Sequence, residues 1–171
     1  TPSGFSTMST GVPSAMQVLD WLAAWPGAVW LQKSGTAYLF VNASHILGIG
    51  LVLGGILPMD LRLIGLLRSF PIAIVGPLLL RVASAGLALA LLTGFWLFTV
   101  KPKEYVANPA FLAKLALLAF ALANIAVQHR GPRFRAALEG QHVQSSVRVF
   151  AALSMMLWLS VLVAGRWIGF V

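Results

Sequence analysis

Four long apolar runs divide the chain, at about residues 36–58, 78–100, 109–128 and 148–167. An α-helix rises about 1.5 Å per residue, so each run can cross about 30 Å of hydrocarbon. Lipid does not tolerate unpaired backbone groups, so the runs predict helices rather than open strands. The pattern therefore predicts an all-α integral membrane protein, a four-transmembrane-helix bundle in which residues 16–171 form one membrane domain.

Two shorter segments precede the first run. Residues 1–15 are small, polar and rich in turn formers, which predicts a mobile N-terminal segment. Residues 16–31 repeat apolar side chains at helical spacing: Val18, Leu19, Leu22 and Trp25. This spacing predicts an interfacial helix with its Trp residues at headgroup level. The alternative is a frayed start to the first span.

The composition supports the membrane class. Hydrophobic residues make up 59% of the chain and charged residues 9%, against about 25% charged residues in globular proteins. The chain carries 12 basic and 4 acidic residues, a formal charge of +8. The basic residues cluster in short loops, which indicates topology and lipid headgroup contact and no binding of nucleic acid.

The same basic residues predict an orientation. Seven lie near the loops that follow the first and third runs, against four on the opposite side. Lys and Arg favour the cytoplasmic side, so both termini are predicted to be periplasmic in a bacterial inner membrane. The absence of cysteine excludes disulfides, thiolate metal sites and covalent c-type haem attachment. A cofactor would be held by His, Met, Lys, carboxylate or backbone groups.

Two ionisable residues, His45 and Lys114, interrupt the apolar runs. Ionisable groups at membrane depth cost about 2.5–3.5 kcal/mol and mark functional sites by default. His45 is predicted about 13 Å and Lys114 about 8 Å below one end of the bundle, so they could share a site. Asn42 and Gly48 lie three residues on either side of His45 and share its broad face. The alternatives are a histidine that only bonds a neighbouring helix and a lysine that snorkels to the headgroups.

Small or polar side chains form a stripe on the second and third spans. The second-span stripe contains Ala83, Gly86, Ala90 and Thr93, and the third-span stripe contains Ala110, Lys114, Ala121, Asn124 and Gln128. These stripes are predicted to face inward. A bulky stripe of the third span is predicted to face lipid: Phe111, Leu115, Leu118, Leu122 and Ile125. The four acidic residues are predicted to lie outside the spans. His129 and His142 are predicted at the cytoplasmic surface, too far from His45 to share one haem with it.

Three segments together resemble a known membrane superfamily. The first span holds a His followed by glycines (HILGIGLVLGG), and the second closes with a Thr-Gly pair (LLTGFWLF). A short loop leads into a third span with an embedded Lys, NPAFLAKLALLAFALANIAVQHR. This layout, over about residues 36–167, resembles the four-helix superfamily of the CopD copper-resistance proteins and the HemJ-type protoporphyrinogen oxidases. It is most similar to an uncharacterised bacterial four-span branch.

The resemblance implies roles for two positions. In the oxidases, the first-span His and third-span Lys are tied to haem, and the similar positions here are His45 and Lys114. This chain carries Gly48-Ile49-Gly50-Leu51 where the oxidases have aromatic residues, and 58–60 where they have a further His. The resemblance therefore does not extend to that oxidation. The Trp-x-Gly that follows the His in the copper family is also absent here.

The leading hypothesis is a b-type haem protein that transfers electrons to a quinone or a membrane partner protein. His45 would ligate the haem iron, and Lys114 would pair with a propionate or an anionic substrate group. Gly48, Gly86 and Ala121 would admit the flat macrocycle, with Asn42 beside it. The alternatives are a non-catalytic subunit or assembly factor of a larger membrane complex, and copper or other metal handling.

Overall fold

A computed structural model describes residues 13–67, 69 and 71–170. The described residues form eight α-helices and no strand. The helices are α1 (Ala15–Ala24), α2 (Pro26–Lys33), α3 (Gly35–Ile64), α4 (Ile72–Val100), α5 (Pro102–Ala107), α6 (Pro109–Arg130), α7 (Pro132–Leu138) and α8 (Ser145–Trp167). Four of them, α3, α4, α6 and α8, are long and apolar enough to cross a membrane. The predicted all-α four-span fold is confirmed.

The N-terminal segment differs from its prediction in one respect. The predicted helix over 16–31 is two helices, because Pro26 lacks an amide proton and starts a new helix after the extended Trp25. Ser14 caps α1: its hydroxyl accepts from the Gln17 amide, and its own amide donates to the Gln17 side chain. Residues 1–12 of the predicted mobile segment lie outside the described residues.

Helices α1 and α2 lie against one end of α4. The Trp96 indole donates to the Gly27 carbonyl at 3.0 Å, and the Gln32 amide donates to the Val100 carbonyl at 3.0 Å. Trp25 and Trp30 contact the Trp96 ring, with centroids 6.2 and 5.9 Å away. These contacts hold the N-terminal helices on the bundle and fix the end of α4.

Two of the long helices extend beyond the predicted spans. Helix α3 continues past Pro58 to Ile64, and α4 begins at Ile72, before Pro77. A proline removes only one backbone hydrogen bond, and apolar packing on both sides of each proline keeps these helices continuous. Helix α6 begins as predicted, since Asn108 accepts from the amides of Ala110 and Phe111 ahead of the first turn.

The bundle is built from two close helix pairs, α3 with α4 and α6 with α8, joined through α3 and α8. A central core lies among them: Val52, Ile56, Ala83, Ala121 and Trp158. A second core lies at the end of the bundle where α7 packs against α4 and α6. It contains Met59, Leu63, Ile72, Phe134, Ala137, Val147 and Ala151.

The small-residue stripes and the bulky stripe of the spans behave differently. On α4, Ala83, Gly86 and Thr93 are buried as predicted. On α6, Ala121, Asn124 and Gln128 are buried as predicted. Of the bulky stripe, Leu115 is exposed, but Leu118 and Ile125 pack against the central core instead of facing lipid. Among the long helices, α6 packs closely against α8, so larger side chains are needed to fill the distance to α3 and α4.

Candidate functional site

His45 lies against α4, where one ring nitrogen is held by two oxygens. Nδ1 is 3.0 Å from the Ala90 carbonyl oxygen and 3.1 Å from the Thr93 hydroxyl oxygen. A backbone carbonyl only accepts, so the proton must sit on Nδ1. The Thr93 hydroxyl donates to the Leu89 carbonyl at 2.6 Å, which leaves it an acceptor for His45 as well.

This arrangement defines the free side of the imidazole. With Nδ1 protonated, the Nε2 lone pair of the neutral ring is available to bind a metal or accept a proton. No described residue hydrogen-bonds to Nε2. A Cβ atom at Gly94 would lie 2.8 Å from His45 Cε1, so only glycine leaves room for the ring there. In the Thr-Gly pair of the second span, Thr93 therefore hydrogen-bonds to the His45 ring and Gly94 leaves room for it.

Gly48 and Gly86, which were predicted to admit a macrocycle, lie where α3 and α4 pack closely. A Cβ atom at Gly48 would lie 2.7 Å from the Ala90 nitrogen, and one at Gly86 would lie 2.7 Å from the Val52 nitrogen. Both glycines bring the α3 and α4 backbones into direct contact. Ala121 is fully enclosed in the central core. Close helix packing thus uses the space beside Gly48 and Gly86, and a role of these residues in binding a cofactor stays a prediction.

Asn42 also lies apart from the site. It is exposed, whereas His45 is partly buried against α4. Residues three apart differ by about 60° around a helix, and the contact with α4 ends between these two positions. The three residues that were predicted to share one face are therefore separated. Asn42 lies on an exposed face, His45 in the site, and Gly48 in the contact between α3 and α4.

Lys114 approaches the site from α6. Its positive charge is close enough to act on the His45 ring. The lysine stem runs along α8, where a Cβ atom at Gly165 would be 3.5 Å from Cε and 3.7 Å from Nζ. Asn124 of α6 lies opposite Phe150 of α8, and the two helices are antiparallel. The Cα atom of Lys114 is therefore near the level of residue 160 of α8. Because its Nζ lies beside Gly165, the side chain extends about 7 Å toward the end of the bundle. No ion pair of Lys114 occurs in the described ranges.

Aromatic side chains close the end of the bundle above these residues. The Phe98 and Phe111 rings are stacked, with centroids 5.5 Å apart and planes 3° apart. Tyr105 contacts both rings. Because α4 and α6 do not pack closely along their length, this aromatic cluster bridges them at the end nearest His45.

The other two histidines have no comparable setting. His129 is exposed and stacks on Phe134 at 4.6 Å, and His142 is exposed. Across residues 13–67, 69 and 71–170, no group of three or more His, Asp or Glu side chains could hold a metal ion. Metal handling by such a cluster therefore has no support from this part of the chain.

The sequence pattern missed Asp60. The prediction placed all four acids outside the spans, but Asp60 lies within α3 and is 4% exposed. That prediction is wrong because the first span was bounded at about residue 58, whereas α3 continues through Pro58 to Ile64. The signal was present in the spacing, since Ile56, Met59, Asp60 and Leu63 follow one helix face and are all buried.

Comparison with known proteins gives a family and no function. No curated protein and no solved structure matches the chain significantly. The resemblance to the CopD and HemJ-type proteins stays a prediction. Residues 22–171 match the family DUF6644, described as a family of unknown function. This region includes all four long helices that carry and surround His45, and the chain therefore belongs to the DUF6644 family.

Proposed function

We propose that this protein holds a b-type haem through His45 and passes electrons to a quinone or a membrane partner protein. The observation that supports the proposal is the fixed imidazole. A histidine that ligates a metal usually donates its other ring N–H to a carbonyl or carboxylate, which sets the tautomer and the ring orientation. His45 has this arrangement, with Nδ1 held by Ala90 and Nε2 free.

The surrounding residues limit where a macrocycle could lie. The contact of Gly48 with Ala90 excludes the α3–α4 interface. In this proposal the macrocycle lies beside His45 and outside that interface. There Lys114 would pair with a propionate or an anionic substrate group, and Thr93 would keep the ring in place. When bound, the haem supplies one-electron chemistry that no side chain here provides.

The proposed setting is the bacterial inner membrane, with both termini in the periplasm. The support is the excess of Arg near the loops that join α3 to α4 and α6 to α8. In this orientation His45 lies in the periplasmic half of the bundle. A cysteine introduced at Ser14 would react with an impermeant thiol reagent in intact spheroplasts, and one at Ser69 would not.

An absorption spectrum of the detergent-purified protein tests the haem proposal. We expect a Soret band, with b-type α and β bands after dithionite reduction, and loss of these bands in His45→Ala. His142→Ala is the matched control and should keep them. A colourless wild-type protein from cells with full haem supply would contradict the proposal, as would an unchanged spectrum in His45→Ala.

A second candidate function is that of a non-catalytic subunit or assembly factor. The observation that favours it is the pair Gly50 and Gly54, which are exposed on α3 with nothing near their missing side chains. Pairs of small residues four apart allow a second helix to approach closely in a membrane. A partner helix could therefore lie on this face without rearrangement of the bundle.

Gly50→Leu separates the two candidates. The bundle has room for the new side chain, so folding should persist while association with a partner complex is lost in native gels of mild-detergent extracts. Gly35→Leu, which also meets nothing, is the control. If association survives Gly50→Leu, this face carries no partner. If association is lost in Gly50→Leu and function survives His45→Ala, the subunit role replaces the haem role.

A further inference from the structure

A second group of polar residues is buried in the half of the bundle far from His45. We name it the Asp60 cluster, and it contains Asp60, Asn124, Gln128, Ser154 and Trp158, all of them buried. Four of its polar atoms have no hydrogen-bond partner: Asp60 Oδ2, Asn124 Oδ1, Gln128 Nε2 and Trp158 Nε1. Buried polar groups are normally paired, so four orphans in one bundle require an explanation.

These side chains follow one another along the bundle axis. Asp60 of α3 interacts with the Ser154 side chain of α8, and Trp158 lies one turn further along α8. On the other side, Asn124 donates to the Phe150 carbonyl at 3.2 Å, one turn before Ser154. Gln128 is one turn beyond Asn124 and two residues from the end of α6. The cluster therefore extends about 18 Å from that end of the bundle to Trp158.

Among the described residues, no cation accompanies the Asp60 carboxyl group. It takes part in no ion pair in the described part of the chain. Arg62 is two residues further along α3, and residues two apart do not face each other on a helix. The other basic groups on neighbouring helices near this end are exposed: Arg81 on α4, His129 and Arg130 on α6, Arg133 and Arg135 on α7, and Arg148 on α8. An ionised carboxylate at this depth would have no compensating charge, which is very costly.

The charge of the Asp60 carboxylate could be neutralised by a proton or by a metal ion, and the atoms without hydrogen-bond partners distinguish between the two. Gln128 Nε2 and Trp158 Nε1 are N–H donors, which repel a cation and need an acceptor. Water can satisfy donors and acceptors together, and buried water occupies such polar sites in proteins. Protonation of Asp60 removes its charge and turns one oxygen into a donor.

We propose that the Asp60 cluster is a proton-binding site, in which Asp60 carries the proton and buried water connects it to the end of the bundle beside Gln128. Bulk solvent at that end of the bundle supplies the proton: an O–H bond of a protonated water breaks as the O–H bond of the Asp60 carboxyl group forms, and that water is left neutral. Release of the proton reverses the step. The site lies about 22 Å along α3 from His45. It does not depend on a haem there.

Infrared difference spectroscopy of the purified wild-type protein in lipid nanodiscs tests the proton. The other acids, Asp20, Glu104 and Glu139, are exposed to solvent, unlike Asp60. We therefore expect one carboxylic-acid C=O band at neutral pH, present in Asp20→Asn and lost in Asp60→Asn. Absence of the band from the wild-type spectrum would overturn the proposal, even if Asp60→Asn failed to fold.

Exchange into D₂O tests the water connection. The band should shift promptly in the wild-type protein, because water reaches Asp60. In Asn124→Leu and Gln128→Met, which remove the polar groups with little change in volume, the shift should be slowed at least tenfold. Asn42→Leu on the exposed face is the control and should exchange at the wild-type rate. A band that shifts equally fast in all variants would overturn the assigned route.

Discussion

The two polar sites on α3 differ in how the fold treats them. His45 meets the Ala90 carbonyl and the Thr93 hydroxyl, both at hydrogen-bonding distance from one ring nitrogen. Asp60, on the same helix, keeps an oxygen with no partner although it is more deeply buried. The His45 imidazole is held in a fixed orientation with Nε2 free. The Asp60 carboxyl group is buried with no cation paired to it in the described part of the chain. The first arrangement suits a ligand, and the second suits a group that changes its charge.

Helix packing explains the difference. Near His45, Gly48 and Gly86 bring the α3 and α4 backbones into contact, so an α4 carbonyl comes within reach of the imidazole. Near Asp60, α3 faces the apolar core that includes Met59 and Leu63, and Ser154 is its polar neighbour. The close contact at Gly48 and Gly86 thus gives His45 hydrogen-bond partners from α4. At the other site, Asp60 Oδ2 lacks such a partner.

Gly86→Val would break the comparison most strongly. Its Cβ would lie 2.6 Å from Leu51 Cβ and 2.8 Å from the Gly48 carbonyl oxygen. Overpacking against backbone costs about 1–3 kcal/mol or more, so we expect a lower free energy of unfolding and loss of the His45 contacts. Thermal unfolding in detergent measures the effect. Gly50→Val, in open space, should be unchanged, and equal stability of both variants would contradict the packing account.

Asp60→Val tests whether the unpaired acid costs stability. Removal of a buried carboxyl group that keeps one oxygen without a partner should raise the free energy of unfolding by about 1–3 kcal/mol. Denaturant titration of the purified protein measures it. Asp60→Asn, which stays polar, should gain less. A large loss of stability in Asp60→Val would mean that the carboxyl group has a structural partner.

Thr93→Val sharpens the comparison at the other site. The substitution keeps the shape of the side chain but removes the hydroxyl beside His45 Nδ1, while the Ala90 carbonyl remains. We expect the free energy of unfolding, measured by denaturant titration, to fall by about 0.5–1.5 kcal/mol. Ser84→Ala is the control, because its hydroxyl makes only a bond within α4 and is exposed. Equal losses in the two variants would show that Thr93 does not support the imidazole.

The smallest effect is expected outside both sites. Lys103 and Asp20 form an ion pair at 2.6 Å, with side chains 46% and 60% exposed. Exposed pairs contribute about 0.2–1 kcal/mol and are screened by salt. Lys103→Gln should therefore lower stability slightly in low salt and not at all in high salt. A salt-independent loss would indicate that the pair holds α1 against α5 in a more buried setting.

The predictable parts of the candidate site are those set by composition. His45 and Lys114 stand out because ionisable groups are rare in apolar runs, and the structure brings Lys114 within electrostatic range of His45. The role of Gly48 could not be predicted, because a missing side chain can admit either a ligand or another backbone. Asp60 was missed because the predicted first span ends at about residue 58, whereas α3 continues to Ile64.

The sequence by itself determined the class of this protein and the number of its long helices, because the length and apolarity of a span depend only on local composition. It also determined local signals such as the Asn108 cap, which involve neighbours in the chain. Only the tertiary structure decided that Gly86 closes the α3–α4 interface, that Ala90 holds His45, and that Asp60 is enclosed. These outcomes depend on which helix faces which, and residues far apart in the chain set that choice by packing.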